Sequence, residues 1–148
     1  MENQIPSLST PGNGYTMQFI GGWEAGQQTD NLPYFFGSDC YNSARTLLTG
    51  FPYASCRIPK DGTIKNMFIR IRMATVGASE TVSHYIRVNN NTDVGQIDLQ
   101  YNINNVSGAA YNVNHSVVEG DEVAFKIQSP TWVTNPVGIR CYALIYIE

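Results

Sequence analysis

The sequence predicts an all-β domain of two antiparallel sheets packed face to face, and three observations predict it. Apolar and polar residues alternate with period 2 over most of the chain after about residue 56. Turn signals rich in Gly, Asn and Asp separate these runs at intervals of roughly 8–12 residues. No segment keeps a helical period over three turns, and only Tyr41 to Leu48 suits even a single turn.

In chain order, residues 1–35 read as an extended N-terminal arm. They are rich in Gly, Pro, Ser and Gln, without sustained periodicity beyond one expected strand from Tyr15 to Ile20. Residues 36–148 read as the sandwich, with regular strands recurring from about Leu47. Gly62 to Met73 places Met67, Ile69, Ile71 and Met73 on one face and Phe68, Arg70 and Arg72 on the other. Thr81 to Val88 puts Val82, His84, Ile86 and Val88 together, and Asn89 to Asp93 then turns the chain. The next alternations set Ile97, Leu99, Tyr101 and Ile103 inward, then Tyr111, Val113, His115 and Val117. After the Gly120-Asp121 turn come Val123, Phe125 and Ile127, and Gly138 to Glu148 closes the chain. Leu99 and Phe125 are expected core residues.

Composition bounds the function. Of the 148 residues, 43% are hydrophobic and only 14% charged, against roughly 25% charged in an average soluble domain. So few charges give copies little mutual repulsion, which suits a protein that packs against neighbours. A net charge of −3 and pI near 5.3 exclude a basic stripe of the kind nucleic acid requires; Arg70, Arg72 and Arg87 are the densest basic cluster. Met1-Glu2-Asn3-Gln4 does not begin a secretory signal, and no run approaches the ~18 apolar residues of a membrane helix. Synthesis in a cytoplasm without membrane insertion is expected. Cys40, Cys56 and Cys141 have no CxxC spacing, so they are either partly buried thiols or, in an oxidising setting, include a Cys40–Cys56 bridge.

Catalytic signals are weak. His84 and His115 lie on separate strands with no His-x-His pattern, which suits half-buried imidazoles with a polar partner better than metal ligands. There is no GxSxG nucleophile elbow. Asp98, Asp121 and Glu122 read as solvated face and turn residues. Gly12 to Gly14 and Gly21-Gly22 lack the following helix and Lys of a phosphate loop. The turns at Asn89–Asp93 and Glu119–Glu122 have too few ligands for calcium. Asn90, Asn105 and Asn114 head Asn-x-Ser/Thr triplets, which matter only in a glycosylating compartment. No cofactor, no metal and no enzymatic activity are expected.

Aromatic and apolar residues carry more. Trp132, in a Pro-flanked loop, is either an exposed contact for a sugar or partner or a lid over the core end. Trp23, Tyr34, Phe35 and Phe36 are expected to dock the arm on its own or another subunit. In the closing strand Cys141, Ala143, Ile145 and Ile147 share the core side, while Tyr142, Leu144 and Tyr146 make the opposite face apolar as well. A strand apolar on both faces must be covered twice. A second copy covering Tyr142, Leu144 and Tyr146 is the expectation, with the arm folding back as the alternative.

Pro59, Gly62-Thr63-Ile64 entering a strand, the Asn89 to Asn91 turn, Gly120-Asp121 before a strand and the closing Cys141 to Glu148 give residues 56–148 a resemblance. This stretch resembles the tumour-necrosis-factor and complement-head superfamily, and within it the trimeric heads of virus particles and spore filaments. The resemblance implies a jelly-roll, a homotrimer and a structural or attachment role at a virion or particle surface. The arm would meet other capsid or surface proteins. The alternative is a carbohydrate- or receptor-binding module using Trp132; a metal-dependent cupin enzyme is a third class.

Overall fold

A computed structural model describes residues 14–22, 29–37 and 54–148. These residues form nine strands and no helix: β1 (Tyr15–Gly22), β2 (Pro33–Phe36), β3 (Cys56–Arg57), β4 (Gly62–Arg72), β5 (Thr81–Val88), β6 (Thr92–Gln100), β7 (Asn105–Val117), β8 (Glu122–Gln128) and β9 (Arg140–Ile147). One sheet has the order β1-β9-β4-β7. The other has the order β2-β8-β5-β6, with β3 also pairing β8. Apart from the short β3, strands cross repeatedly between the sheets, and every pairing is antiparallel. This interleaving is the jelly-roll arrangement of an all-β sandwich.

The core follows the alternation of the sequence. Ile64, Met67, Ile69 and Ile71 from β4, with Cys141, Ala143, Ile145 and Ile147 from β9, meet Val82, Ile86, Val123, Phe125 and Ile127 from the opposite sheet. All are buried, and Phe125 stacks at 5.2 Å on Phe36 and 6.1 Å on Phe19.

The arm is where expectation and structure part. β1 pairs with β9 along its whole length, and Phe19 is fully buried in the core. β2 pairs with β8, with Tyr34 and Phe36 in the core and Phe35 on the outer side against Ala54 and Ala124. The sandwich therefore begins at Tyr15, not near residue 36. Gly and Pro weaken strand propensity locally, but pairing partners far along the chain, in β9 for β1 and in β8 for β2, supply the stabilisation. Residues 1–13, Trp23, Cys40 and the expected turn over 41–48 lie outside the described residues.

Register shifts adjust both sheets, including one on β4 where Lys65 is the extra residue against β9. On β6, Gly95 (φ +63°) is the extra residue between the pairs His84–Ile97 and Ile86–Val94. A Cβ there would lie 2.5 Å from the Met67 sulfur, so the left-handed backbone and the contact both require glycine. On β7, Asn112 and Asn114 adopt φ of +59° and +52°, where Ile64 pairs with His115 but Asn66 with Tyr111. This irregularity reverses side-chain parity. Val113 keeps its inward side, whereas Tyr111, expected in the core, points out and is 73% exposed. Ile103, also expected inward, lies beyond the end of β6 and is exposed.

Candidate functional site

The outward side of the β1-β9-β4-β7 sheet presents four cross-strand rows, read from the pairing register. They are Thr16–Tyr146–Asn66–Tyr111, Gln18–Leu144–Phe68–Ala109, Ile20–Tyr142–Arg70–Ser107 and Gly22–Arg140–Arg72–Asn105. Tyr142, Leu144 and Tyr146 thus stand together as expected, on a strand with neighbours on both sides, and all three are half-buried. Phe68, Ile20 and Tyr111 extend the apolar surface on either side, and no carboxylate side chain stands in the four rows. The first two rows enclose a cleft of about 180 Å³ with Thr16 and Asn66 at its rim and Phe68, Tyr111, Leu144 and Tyr146 in its walls. Gly14 abuts this cleft, since a Cβ there would meet the Tyr146 ring.

The opposite sheet's outer side is different in kind. Arg87 grips Asp93 through two nitrogens at 2.6 and 3.0 Å, and Lys126 adds a third contact to Asp93 at 2.7 Å. Phe35 lies 5.9 Å beneath the Arg87 guanidinium and Tyr85 lies 5.2 Å from the Lys126 ammonium. Asp98 accepts from Gln96 and Ser83, and these hydrogen bonds hold its carboxyl below the usual range.

Trp132 resolves as the lid. It is 6% exposed, its ring stacks 6.0 Å from Tyr101, and its backbone N–H donates to Asp30. The adjacent Val133 N–H donates to Glu80, which anchors the loop on its other side. An exposed Trp132 contact for a sugar or receptor is therefore ruled out in this conformation. The Trp132 indole nitrogen and Glu80 Oε2 are buried with no hydrogen-bond partner among the described residues.

His84 is more deeply placed than expected. It is fully buried, with Nδ1 3.1 Å from the Ile97 carbonyl oxygen and Nε2 2.9 Å from the Tyr101 hydroxyl. Desolvation pulls its pKa from 6.5 down to about 4, against the opposing hydrogen bond to Ile97. A neutral imidazole donates from Nδ1 and accepts the Tyr101 proton at Nε2, which uses both nitrogens internally. Burial also raises the Tyr101 hydroxyl and the Cys141 thiol well above their ordinary values, leaving Cys141 an inert core residue. Among the described residues no group of three His, Cys, Asp or Glu side chains could hold a metal ion. No described helix is long and apolar enough to cross a membrane.

Comparison with known proteins adds little. No family model and no curated protein matches the chain. Among solved structures, one match is the native structure of a family 35 carbohydrate binding module from Clostridium thermocellum. It is 11% identical, covers 90% of this chain and 98% of that one, and superposes with a TM-score of 0.37. At that score the likeness carries no argument about what this chain does.

The site residues that the sequence reading missed are Tyr111, which it placed in the core, and Phe68, which it placed on the outer face without a role. The Tyr-Asn-Val-Asn run was the available signal, because Asn is among the few residues that tolerate the left-handed region. Phe68 had none, because its neighbours Leu144 and Ala109 come beside it only through the sheet order.

Proposed function

We propose that this chain is a non-enzymatic structural protein of a virion or similar particle surface, acting through self-association into a trimer. The contact is the outward side of the β1-β9-β4-β7 sheet, with a second copy as its occupant. One observation carries the reading: Tyr142, Leu144, Tyr146, Phe68 and Tyr111 form a contiguous apolar surface, and among the described residues its cross-strand rows hold no carboxylate. Contiguous surfaces of this kind mark interaction sites. Each large side chain covered would gain at most roughly 1.5–3 kcal/mol, less for those already half-buried, before association entropy is subtracted. Cyclic closure leaves no adhesive surface behind.

A second reading, a carbohydrate- or receptor-binding module, is favoured by the aromatic cleft at Tyr111. Its volume, about 180 Å³, suits one ring, and Asn66 and Thr16 offer polar groups at the rim. Sedimentation and a glycan array together separate the two. The wild-type protein should sediment as a trimer at micromolar concentration, and Tyr146→Asp as a folded monomer. A monomeric wild type overturns the assembly reading. Specific glycan binding abolished by Tyr111→Ala would establish the second.

A further inference from the structure

β7 and β6 end the two sheets on one side of the sandwich and touch each other, as β1 and β2 do on the other. The chain leaves and re-enters the described residues only at the ends of β1 and β2 and ahead of β3, which pairs with β8 as β2 does. In the sheet order all these points lie across the sandwich from β7. Edge strands present a row of backbone N–H and C=O groups, and natural sheets blunt them with charge, proline or bulges. β6 has such devices in Asp93, Asp98 and the bulge at Gly95. β7 is 13 residues long and contains no Asp, Glu, Lys, Arg or Pro. Its irregularity at Asn112 and Asn114 affects only the later part, because residues 105–111 pair with β4 in unbroken register. Among the described residues β4 is their only partner strand.

Packing fixes this stretch from beneath. Val106 and Ala110 lie against the core, and Gly108 sits so close over Ile97 and Leu99 that a Cβ there would come within 2.7 Å. Asn105, Ser107, Ala109 and Tyr111 are exposed on the outward side. Their rows on β4 differ in kind. Arg72 and Arg70 stand beside Asn105 and Ser107, whereas Phe68 and Asn66 stand beside Ala109 and Tyr111.

From this arrangement we infer that residues 105–111 pair with the same stretch of a second copy, antiparallel about a two-fold axis at Gly108. Strand addition of this kind is held by main-chain hydrogen bonds, and side-chain rows set its register. The order of the rows selects the occupant. The two-fold sets Asn105 opposite the partner's Tyr111 and Ser107 opposite the partner's Ala109. Each arginine row therefore continues into an aromatic row of the other copy: Arg72–Asn105 into Tyr111, and Arg70–Ser107 into Ala109 and Phe68. Like charges are kept apart and guanidinium groups come alongside rings. Arg70 keeps its 2.9 Å bond to Asn105, so the pairing requires no unpaired cation. A contact of one short strand is smaller than a stable dimer needs, so it is a weak lateral contact. It goes beyond the trimer proposed above, and on a trimer several such edges would reinforce one another.

The test uses Tyr146→Asp, in which the face contact is blocked, so that the edge is read alone. Leu144→Lys serves in its place should that variant fold poorly. The protein should be monomeric at about 10 µM and dimeric at about 1 mM, the range of a weak contact. Sedimentation gives the mass, and amide NMR shifts that grow with concentration should centre on residues 105–111. Adding Ser107→Glu and Ala109→Glu sets like charges opposite each other across the two-fold and should weaken dimerisation at least about tenfold. Adding Ser107→Glu and Ala109→Lys sets opposite charges together and should restore at least the parent affinity. Absence of a dimer at about 1 mM, shifts centred elsewhere, or equal behaviour of the two charge variants overturns the inference. A wild type that is monomeric at micromolar concentration overturns the trimer alone and leaves this test as it stands.

Discussion

The two outer sheet faces of this sandwich solve the same problem in opposite ways. On the β2-β8-β5-β6 side every prominent charge has a local answer: Asp93 holds both Arg87 and Lys126, and Gln96 and Ser83 hold Asp98. Phe35 and Ala124 there are buried against Ala54. The β1-β9-β4-β7 side carries a broader apolar surface, with aromatic rings half-buried by their row neighbours. A face whose polar groups are satisfied internally needs nothing more, whereas one that leaves contiguous apolar area uncovered is a surface for a ligand or partner. The same core lies beneath both faces, so the difference belongs to their outward residues alone.

The strongest way to probe the contrast is a charge placed on the closed face. Ala124 is fully buried, directly opposite Arg87 and beside Phe35 and Ala54. Ala124→Lys puts a third cation beside Arg87 and Lys126 with only Asp93 to answer them. A loss of about 3–5 kcal/mol is expected, as for other uncompensated buried charges, and urea unfolding measures it. A loss under about 1 kcal/mol would mean that this face is not closed.

Next in size is an acid effect originating beneath both faces. The pKa of His84 is about 4 in the folded chain and 6.5 ordinarily, so the unfolded chain binds the proton more readily. Its contribution is fully present above pH 6.5 and is lost as pH falls from there towards 4, a decline of about 3 kcal/mol. Asp98 and Asp121, both lowered by hydrogen bonds, lose their contributions further down, as pH falls through the carboxylate range. Stability measured against pH should therefore fall in two separate windows, and His84→Asn should flatten the upper one. An upper window that survives the substitution would assign it elsewhere.

Removing the central carboxylate of the closed face should cost less. Asp93→Ala leaves Lys126, 7% exposed, and Arg87 without their shared acceptor. Because Asp93 itself is partly exposed, water can replace some of what is lost, and about 1–3 kcal/mol is expected from denaturant midpoints. A neutral result would show that the cations reach solvent easily and that the face is closed by packing alone.

The sequence read the interior well and the edges poorly, for physical reasons. Met67, Ile69 and Ile71, then Val82 and Ile86, then Val123, Phe125 and Ile127 alternate without interruption, and burial on one side of a sheet leaves period 2 no other meaning. The strand expected from Tyr15 to Ile20 is β1, but its place in the sandwich, and β2 altogether, hide in Gly- and Pro-rich surroundings because their pairing energy comes from β9 and β8, far along the chain. Tyr111 was misread because the Asn112–Asn114 irregularity shifts parity within an otherwise regular run. Trp132 could be read two ways until Asp30 and Glu80 were seen to hold its loop over Tyr101. Tyr142, Leu144 and Tyr146 were legible as an anomaly, an apolar outer side on one strand, but the carboxylate-free rows around them appear only once the sheet order is known.

The smallest expected effect on the fold comes from the same chemical change made on the open face. Leu144 is half-buried, flanked in its row by Gln18 and Phe68. In Leu144→Lys the aliphatic stem can cover much of the area that leucine covered, while the ammonium reaches water past the exposed Gln18. The protomer should therefore lose only about 1 kcal/mol. In a trimer, however, each copy would bring a buried cation to a contact with no carboxylate to receive it, and association should be abolished. Urea unfolding at low protein concentration reads the first effect and sedimentation at micromolar concentration the second. The comparison with Ala124→Lys decides what covers this face. If Leu144→Lys unfolds the isolated protomer as severely as Ala124→Lys does, the face is already covered within its own chain, and neither self-association nor an external ligand is needed to explain it.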